Sequence, residues 1–319
     1  MCYVVLGLIC VSCSSKATIN EELQTSNSAI ERGSTASLRD TEQETVHVGV
    51  LSIDSAVSVN ERYRPLLDYI AERLNRPVEL VVLSQDTQFS EVAEGNLDFV
   101  INNPLAAVQV QRLYDTDFLV TLNRPKTGAA FSGLIIVDSR SSITSVEDLK
   151  NKRAACVDFQ TAAAGCTFQI YHLLQQNFDP AEDFSSFVEN RSQDNIVLAV
   201  LNGSIDVGFI RTGQLEKMVN KGMLTSTEEL RIIDPQDDDF LYTHTTALYP
   251  EWPVAALSTT EPELSEQVKT VLLQIPVNHP ALTKLGVESF TAPVDYSAVD
   301  SLIETLKLKS WDAETSTSP

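Results

Sequence analysis

Glu94-Gly-Asn-Leu-Asp-Phe and Asn202-Gly-Ser-Ile-Asp-Val are one phrase written twice. In each copy a glycine ends a helix and an apolar-Asp-apolar strand follows. Working outward from the first copy, Val46–Leu51 (VHVGVL) reads as a strand that runs into the small polar turn Ser52–Ser55. Tyr63, Leu66, Leu67, Ile70, Ala71 and Leu74 then recur at the spacing of one buried helical face. A strand over Val78–Leu83, a short helix around Phe89–Ala93 and the strand Leu97–Ile101 complete the half. The second copy repeats this order, with the strand Arg153–Phe159, a small-residue turn, a helix around Phe168–Leu174 and the strand Phe184–Val188. A helix around Ile196–Leu201 and the strand Ile205–Ile210 close it. Each half is therefore βαβαβ, which predicts a parallel sheet with a ligand crevice at the carboxyl ends of its strands. Two such halves predict an α/β chain of two lobes facing a cleft. One doubly wound sheet built from both copies is the alternative. The extended segment Gly133–Val137 and a helix over Val146–Lys150 separate the copies and weigh against it.

The flanks have a different character. Tyr3–Cys13 (YVVLGLICVSC) is an apolar run of signal-peptide length, followed at once by Ser14-Ser15-Lys16. A small residue before a cysteine at its end resembles a bacterial lipobox. Residues 1–13 are thus expected to be a signal segment with Cys13 as the lipid-bearing residue, anchoring the chain to a membrane after export. Residues 14–45 hold no aromatic side chain before Glu44 and read as a polar tether. Of the five cysteines, Cys156 and Cys166 fall in the folded part. An oxidising compartment permits a disulfide between them. A strand cysteine and one on the following helix often point apart, however, so two buried thiols are expected. Phe240–Pro253 (FLYTHTTALYPEWP) is polar, aromatic and Pro-rich, a connector and not a third repeat. Two amphipathic helices follow, marked by Leu264, Val268, Val271, Leu272 and Ile275, then by Val299, Leu302, Ile303 and Leu306.

Twenty-three Lys+Arg stand against 44 Asp+Glu, a formal net charge of −21. That excess argues against nucleic acid as a partner, because phosphate backbones would repel it. No G-x-S-x-G, G-x-x-x-x-G-K, H-E-x-x-H or G-x-G-x-x-G occurs, and the four histidines are dispersed. An enzyme, a cofactor and a bound metal are therefore not expected. The Asp237-Asp238-Asp239 run lacks the spaced ligands of a calcium loop and reads as solvated.

The phrases EGNLDFVINNP (Glu94–Pro104), RPLLDYIAERL (Arg64–Leu74), SSITSVEDLKNKRAACVDF (Ser141–Phe159) and AVLNGSIDVGFIRTGQLEKM (Ala199–Met218) resemble the phosphonate-binding family of periplasmic substrate-binding proteins. These are two-lobed proteins of type II fold that serve importers of phosphonate, phosphite and phosphate. IRTGQLEKM, THTTALYPEWPVAAL (Thr243–Leu257) and FTAPVDYSAVDSLIETL (Phe290–Leu306) are similar to extracytoplasmic sensor domains of this fold on bacterial histidine kinases. The resemblance implies hinge-linked lobes closing on a small anion, each lobe a βαβαβ-based sheet flanked by helices. Lobe one would take residues 46–137, lobe two residues 138–241, and the return hinge with the rest of lobe one residues 242–312, before a tail over 313–319. The partner implied is an ABC permease, or alternatively a membrane sensor kinase.

Carried onto this chain, the resemblance lines the cleft with Ser52, Ser55, Asn102, Asn103, Thr161, Ala162, Ala163, Arg211 and His244. Thr161–Ala164 opens a helix directly after a strand, where free amides and the helix dipole favour an anion. Family members place Ser and Thr hydroxyls there, whereas this chain has three alanines; Gln193 likewise stands where His is common. Arg211, at a strand end, can grip an oxyanion bidentately, or pair with Glu216 at the surface. Asn102 and Asn103 offer side-chain amides, or an Asx turn before a helix. His244 lies among Thr243, Thr245 and Thr246 on the return segment, as a donor to the ligand or as a structural histidine. Tyr249 and Trp252 read as packing around Pro250 and Pro253.

Overall fold

The computed structural model describes residues 44–53, 55–85 and 87–307. The expected signal segment with Cys13, the tether up to residue 43 and the tail over 313–319 lie outside the described residues. No helix among the described residues is long and apolar enough to cross a membrane.

The repeated phrase does the same work twice. Gly95 (φ +71°) and Gly203 (φ +74°) adopt the left-handed conformation that stops a helix without a Cβ clash. Three residues on, Asp98 accepts from the His47 amide at 2.7 Å and donates its own amide to His47 O at 2.9 Å. Asp206 accepts from the Arg153 amide and donates to Arg153 O, both at 2.9 Å. Each Asp thus pins the third strand of its unit beside the first, and the apolar residues after it enter the core.

The strands in chain order are β1 (Val46–Leu51), β2 (Val78–Leu83), β3 (Phe99–Ile101), β4 (Asp117–Asn123), β5 (Ala130–Phe131), β6 (Gly133–Asp138) and β7 (Arg153–Cys156). They continue with β8 (Ser186–Glu189), β9 (Val207–Arg211), β10 (Leu230–Ile232), β11 (Tyr249–Pro250), β12 (Pro253–Ala256) and β13 (Ser289–Thr291). One sheet has the order β13-β4-β12-β3-β1-β2, the other β10-β6-β9-β7-β8. Each contains a parallel trio in matching order, β3-β1-β2 and β9-β7-β8. The alternative of one sheet formed from both copies is thereby excluded. β12 lies antiparallel between β3 and β4, so the first sheet is completed only after the chain has built the second. The two crossings between the sheets pair with each other: Tyr249 and Pro250 of β11 lie opposite Phe131 and Ala130 of β5.

Helix Ala56–Leu74 buries Val59, Tyr63, Leu66, Leu67 and Ile70 against the first sheet, and Ser55 caps it by accepting from the Ser58 amide. The second sheet has apolar clusters on both faces, around Phe209 and Phe184 and around Ile196 and Met218. A further cluster draws on both sides of the crossings, with Phe168 stacked on Tyr249 at 3.7 Å and Val299, Leu302 and Ile303 of helix Ser297–Leu306 beside them. The helix expected over Val146–Lys150 is one 3₁₀ turn, Glu147–Leu149. Its entry is held instead by Asp148, which accepts from the Thr144 and Ser145 amides.

Cys156 and Cys166 form a disulfide, which corrects the expectation of two thiols. The segment after β7 does not leave as a regular α-helix. A π-turn over Ala163–Thr167 swings Cys166 back until its Cα lies 5.0 Å from that of Cys156, within bridging range. The same turn is held by Val157, whose amide donates to Gly165 O at 3.0 Å. By loop-closure entropy, replacing both cysteines by alanine is expected to lower unfolding free energy by roughly 3 kcal/mol. Urea titration of the wild type with and without reductant, beside the double variant, checks this; equal midpoints would show that the bridge adds nothing.

Candidate functional site

The carboxyl ends of both parallel trios open onto one cleft of about 600 Å³. From the first sheet come Ser52 and Ile53 after β1, Ser84 and Gln85 after β2, and Asn103 after β3. From the second come Val157 and Asp158 after β7, the Arg191–Asp194 loop after β8, and Arg211 at the end of β9. The turn Ala162–Gly165 forms one wall, with Phe131 and Trp252 of the crossing segments nearby. This is where doubly wound sheets place ligands, since strand ends leave backbone groups and loop side chains facing a common space.

The π-turn presents backbone donors. Its first amide to find a helical carbonyl is that of Thr167, donating to Ala162 O at 3.0 Å. The amides of Ala163–Cys166 precede it and, as in any first turn, have no carbonyl behind them. Gln169, fully buried, fixes this turn to the second sheet: its Nε2 donates to Ala164 O at 2.8 Å, Ile210 O at 2.9 Å and Leu134 O at 3.2 Å. Gly133 leaves the room for that side chain, because a Cβ there would stand 2.5 Å from Gln169 Nε2.

Arg211 is set by its own backbone and its neighbours. Its amide donates to Gln193 Oε1 at 2.8 Å, its Nε donates to Thr212 O at 3.2 Å, and its guanidinium lies 5.8 Å from the Phe131 ring centre. Burial pushes its pKa down to about 10, and the nearby Arg124 guanidinium pushes the same way. The group is still a cation at neutral pH, with 27% of its side chain open. Its nearest carboxylate is not Glu216 but Glu251, whose Oε1 lies 4.0 Å from Arg211 Nη2. That oxygen is already taken by Arg124 Nε, which donates to it at 2.5 Å. Burial alone would lower the Arg124 pKa, but the charge and hydrogen bond of Glu251 raise it overall.

Of the residues expected in the site, Ser52, Asn103, Ala162, Ala163 and Arg211 line the cleft. Asn103 also caps helix Pro104–Tyr114 through Oδ1 and donates from Nδ2 to Thr161 O, so it ties the two sides of the cleft together. Ser55, Asn102, Thr161 and His244 are not among the lining residues. Ser55 is used as a helix cap. Asn102 is buried with neither amide atom partnered. The Thr161 hydroxyl donates to Asp158 Oδ1 at 2.8 Å. His244 is structural: Nδ1 faces Thr246 O at 2.7 Å and Nε2 faces Asp238 at 3.1 Å, while Thr245 and Thr246 bond β6. Glu251, Arg124 and Gln169 were not singled out by the sequence reading. The available signal for Glu251 was an ionisable residue between two aromatic-proline pairs in Tyr249–Pro253. No group of three or more His, Cys, Asp or Glu side chains suited to a metal occurs among the described residues.

Residues 48–297 match the family described as ABC transporter, phosphonate, periplasmic substrate-binding protein. A curated relative, the tetrathionate sensor histidine kinase TtrS of Salmonella typhimurium, is 24% identical over 268 residues, covering 82% of this chain and 44% of the relative. The chain thus spans less than half the length of that protein. Among solved structures, PhnD1 of Prochlorococcus marinus in complex with methylphosphonate is 16% identical, with a TM-score of 0.68 over 83% of this chain and 98% of that one. The binding protein component of an ABC phosphonate transporter from Pseudomonas aeruginosa is 17% identical, with a TM-score of 0.66 over 86% and 88%. At such identities the likeness is one of fold, and the fold is the two-lobed type II periplasmic binding architecture. With its family match running through both sheets and both crossings, the chain belongs to the phosphonate family of periplasmic substrate-binding proteins of ABC transporters.

Proposed function

We propose that this chain captures a small oxyanion between its lobes by closure about the paired crossings and passes it to an ABC permease, without chemical turnover. The observation that carries this reading is the meeting, in one cleft, of Arg211 and the turn Ala162–Gly165, whose amides open a helix. Charged donors and helix-start amides both favour an anion, and their hydrogen bonds strengthen when closure removes water. Asn103 and Ser52 would complete the grip from the first lobe. Export and a lipid anchor at Cys13 would hold the protein at the periplasmic face of a membrane, near the permease.

A second reading is a ligand-binding subunit that signals to a membrane kinase. The relative at 24% identity is itself named a tetrathionate sensor histidine kinase, which supports a sulfur oxyanion and a sensing partner as much as an importer. Neighbouring permease and ATPase genes would favour transport, and a kinase with a response regulator would favour sensing.

The test is a thermal-shift screen of the full chain against phosphate, phosphite, phosphonates, sulfur oxyanions and small carboxylates. A ligand at 100 times its dissociation constant adds about 2.7 kcal/mol, or roughly 5–10 °C for a chain of this size. Absence of a shift with every anion would overturn the capture reading.

A further inference from the structure

The disulfide has a place in the cleft as well as in the fold. Cys156 is the last residue of β7 and Cys166 belongs to the π-turn, so the bridge closes a loop over residues 157–165. Val157, Asp158, Ala162, Ala163, Ala164 and Gly165 line the cleft, and all six lie inside that loop. The turn keeps an uncommon register: the Thr167 amide donates to Ala162 O and the Phe168 amide to Ala163 O, each five residues back. It also straddles two apolar clusters. Cys156, Ala162 and Cys166 pack with Phe209 in the core of the second sheet, whereas Ala163 and Ala164 pack with Leu105, Tyr249 and Val299 at the crossings. In the capture reading, lobe closure shifts one cluster against the other, and the turn must follow the sheet that carries Arg211. Hydrogen bonds help, from the Val157 amide to Gly165 O and from Gln169 Nε2 to Ala164 O. Each of these can be exchanged for another partner; the bridge cannot. The turn is also pressed close to its strand, since a Cβ on Gly165 would stand 2.8 Å from Val157 Cγ2.

We propose that the Cys156–Cys166 bridge positions the anion-binding turn, so that tight capture depends on the oxidised form of the protein. This rests on the anion-capture reading and adds a redox condition to it. Both cysteines are fully buried, so a soluble reductant meets the bridge only when the native fold opens. Its state is therefore set as the chain folds, which ties capture to an oxidising compartment. With two thiols instead, the turn is free to rewind towards the commoner four-residue register, and an anion must re-order it on binding. A tenfold loss of affinity corresponds to re-ordering roughly one backbone residue.

The experiment compares three forms of the full chain by calorimetric titration: the oxidised wild type, the double variant Cys156→Ala, Cys166→Ala, and wild type refolded with dithiothreitol. Reduction passes two electrons and two protons to the bridge and leaves the dithiol as its own cyclic disulfide. The probes are inorganic phosphate, methylphosphonate and methanesulfonate, none of which reacts with a thiol, and any further anion that raises the melting temperature. Titrations run well below the melting temperature of each form, so that lost stability does not register as lost affinity. The expected result is at least tenfold weaker binding in both bridge-free forms, with faster amide exchange confined to residues 157–167. Unchanged affinity in either folded bridge-free form would overturn this inference while leaving anion capture standing. Failure of both bridge-free forms to fold would overturn it too, by making the bridge a condition of the fold and not of the site. An oxidised wild type silent towards every probe and the wider anion screen would overturn both readings together.

Discussion

Arg211→Ala abolishes the anion-dependent rise in melting temperature while leaving the ligand-free midpoint within a few degrees of wild type. The two halves of this expectation rest on different geometry. Arg211 lines the cleft together with the turn Ala162–Gly165, and charge-assisted hydrogen bonds from its guanidinium to an anion are worth about 1.5–3 kcal/mol each. Losing a two-pronged grip should therefore weaken affinity by roughly a hundredfold or more. Without ligand, the side chain contributes less. Its guanidinium donates to the neighbouring Thr212 carbonyl, and its approach to Glu251 is a loose 4.0 Å contact. Arg124 also repels it, so truncation relieves a like-charge pair as it removes packing on Phe131. Arg211→Lys separates charge from shape: a point charge restores part of the affinity without the planar fork. Should Arg211→Ala keep the full ligand-induced shift, the anion site lies elsewhere in the cleft.

The sequence carries the fold more openly than the site, for a physical reason. Burial of strands and helices follows periodicities of two and 3.6, and these are visible in single residues such as Leu66, Leu67 and Ile70. The paired phrases at Glu94 and Asn202 were legible because each Asp makes a local reciprocal bond that any copy of the unit needs. Site geometry depends on long-range contacts that leave no periodic trace. The Cys156–Cys166 bridge depends on a π-turn that no residue pattern announced. Among four neighbouring polar residues, His244 reads as a ligand donor or as a structural histidine, and only the folded contacts of its ring with Thr246 and Asp238 decide for the second. Arg211 was read correctly as a strand-end cation, but its carboxylate neighbour lies forty residues on at Glu251, reached only because β11 and β12 return beside it. Asn102 and Asn103 illustrate the limit most sharply. Adjacent in sequence and equivalent in chemistry, they are divided by one step of the chain into a buried amide and a cleft-lining cap.

Glu251→Ala should cost about 3–5 kcal/mol of unfolding free energy, the largest effect expected of any single substitution outside the apolar cores. Glu251 has 1% of its side chain exposed and sits where the chain recrosses towards the first sheet. Its carboxylate holds Arg124, at the end of β4 on the outgoing crossing, and faces Arg211 at the end of β9. Its backbone is held as firmly, the amide donating to Ala129 O at 2.9 Å and the carbonyl accepting from the Tyr296 hydroxyl at 2.7 Å. Removing the carboxylate leaves two guanidiniums with no intervening anion, both of them mostly buried. Urea unfolding of the alanine variant measures the loss, and the double variant Glu251→Leu, Arg124→Met tests its origin. If the loss reflects an uncompensated charge, removing Arg124 as well should restore most of the stability, because a buried pair replaced by apolar groups is close to neutral. If the double variant is as unstable as the single one, the hinge depends on the shape of Glu251 and not on its charge. A drop of less than about 1 kcal/mol in Glu251→Ala would show that water reaches Arg124 readily, as it does at a surface ion pair. The crossings would then be held mainly by the Phe168–Tyr249 stack, the β5–β11 pairing and the backbone bonds of Glu251 to Ala129 and Tyr296.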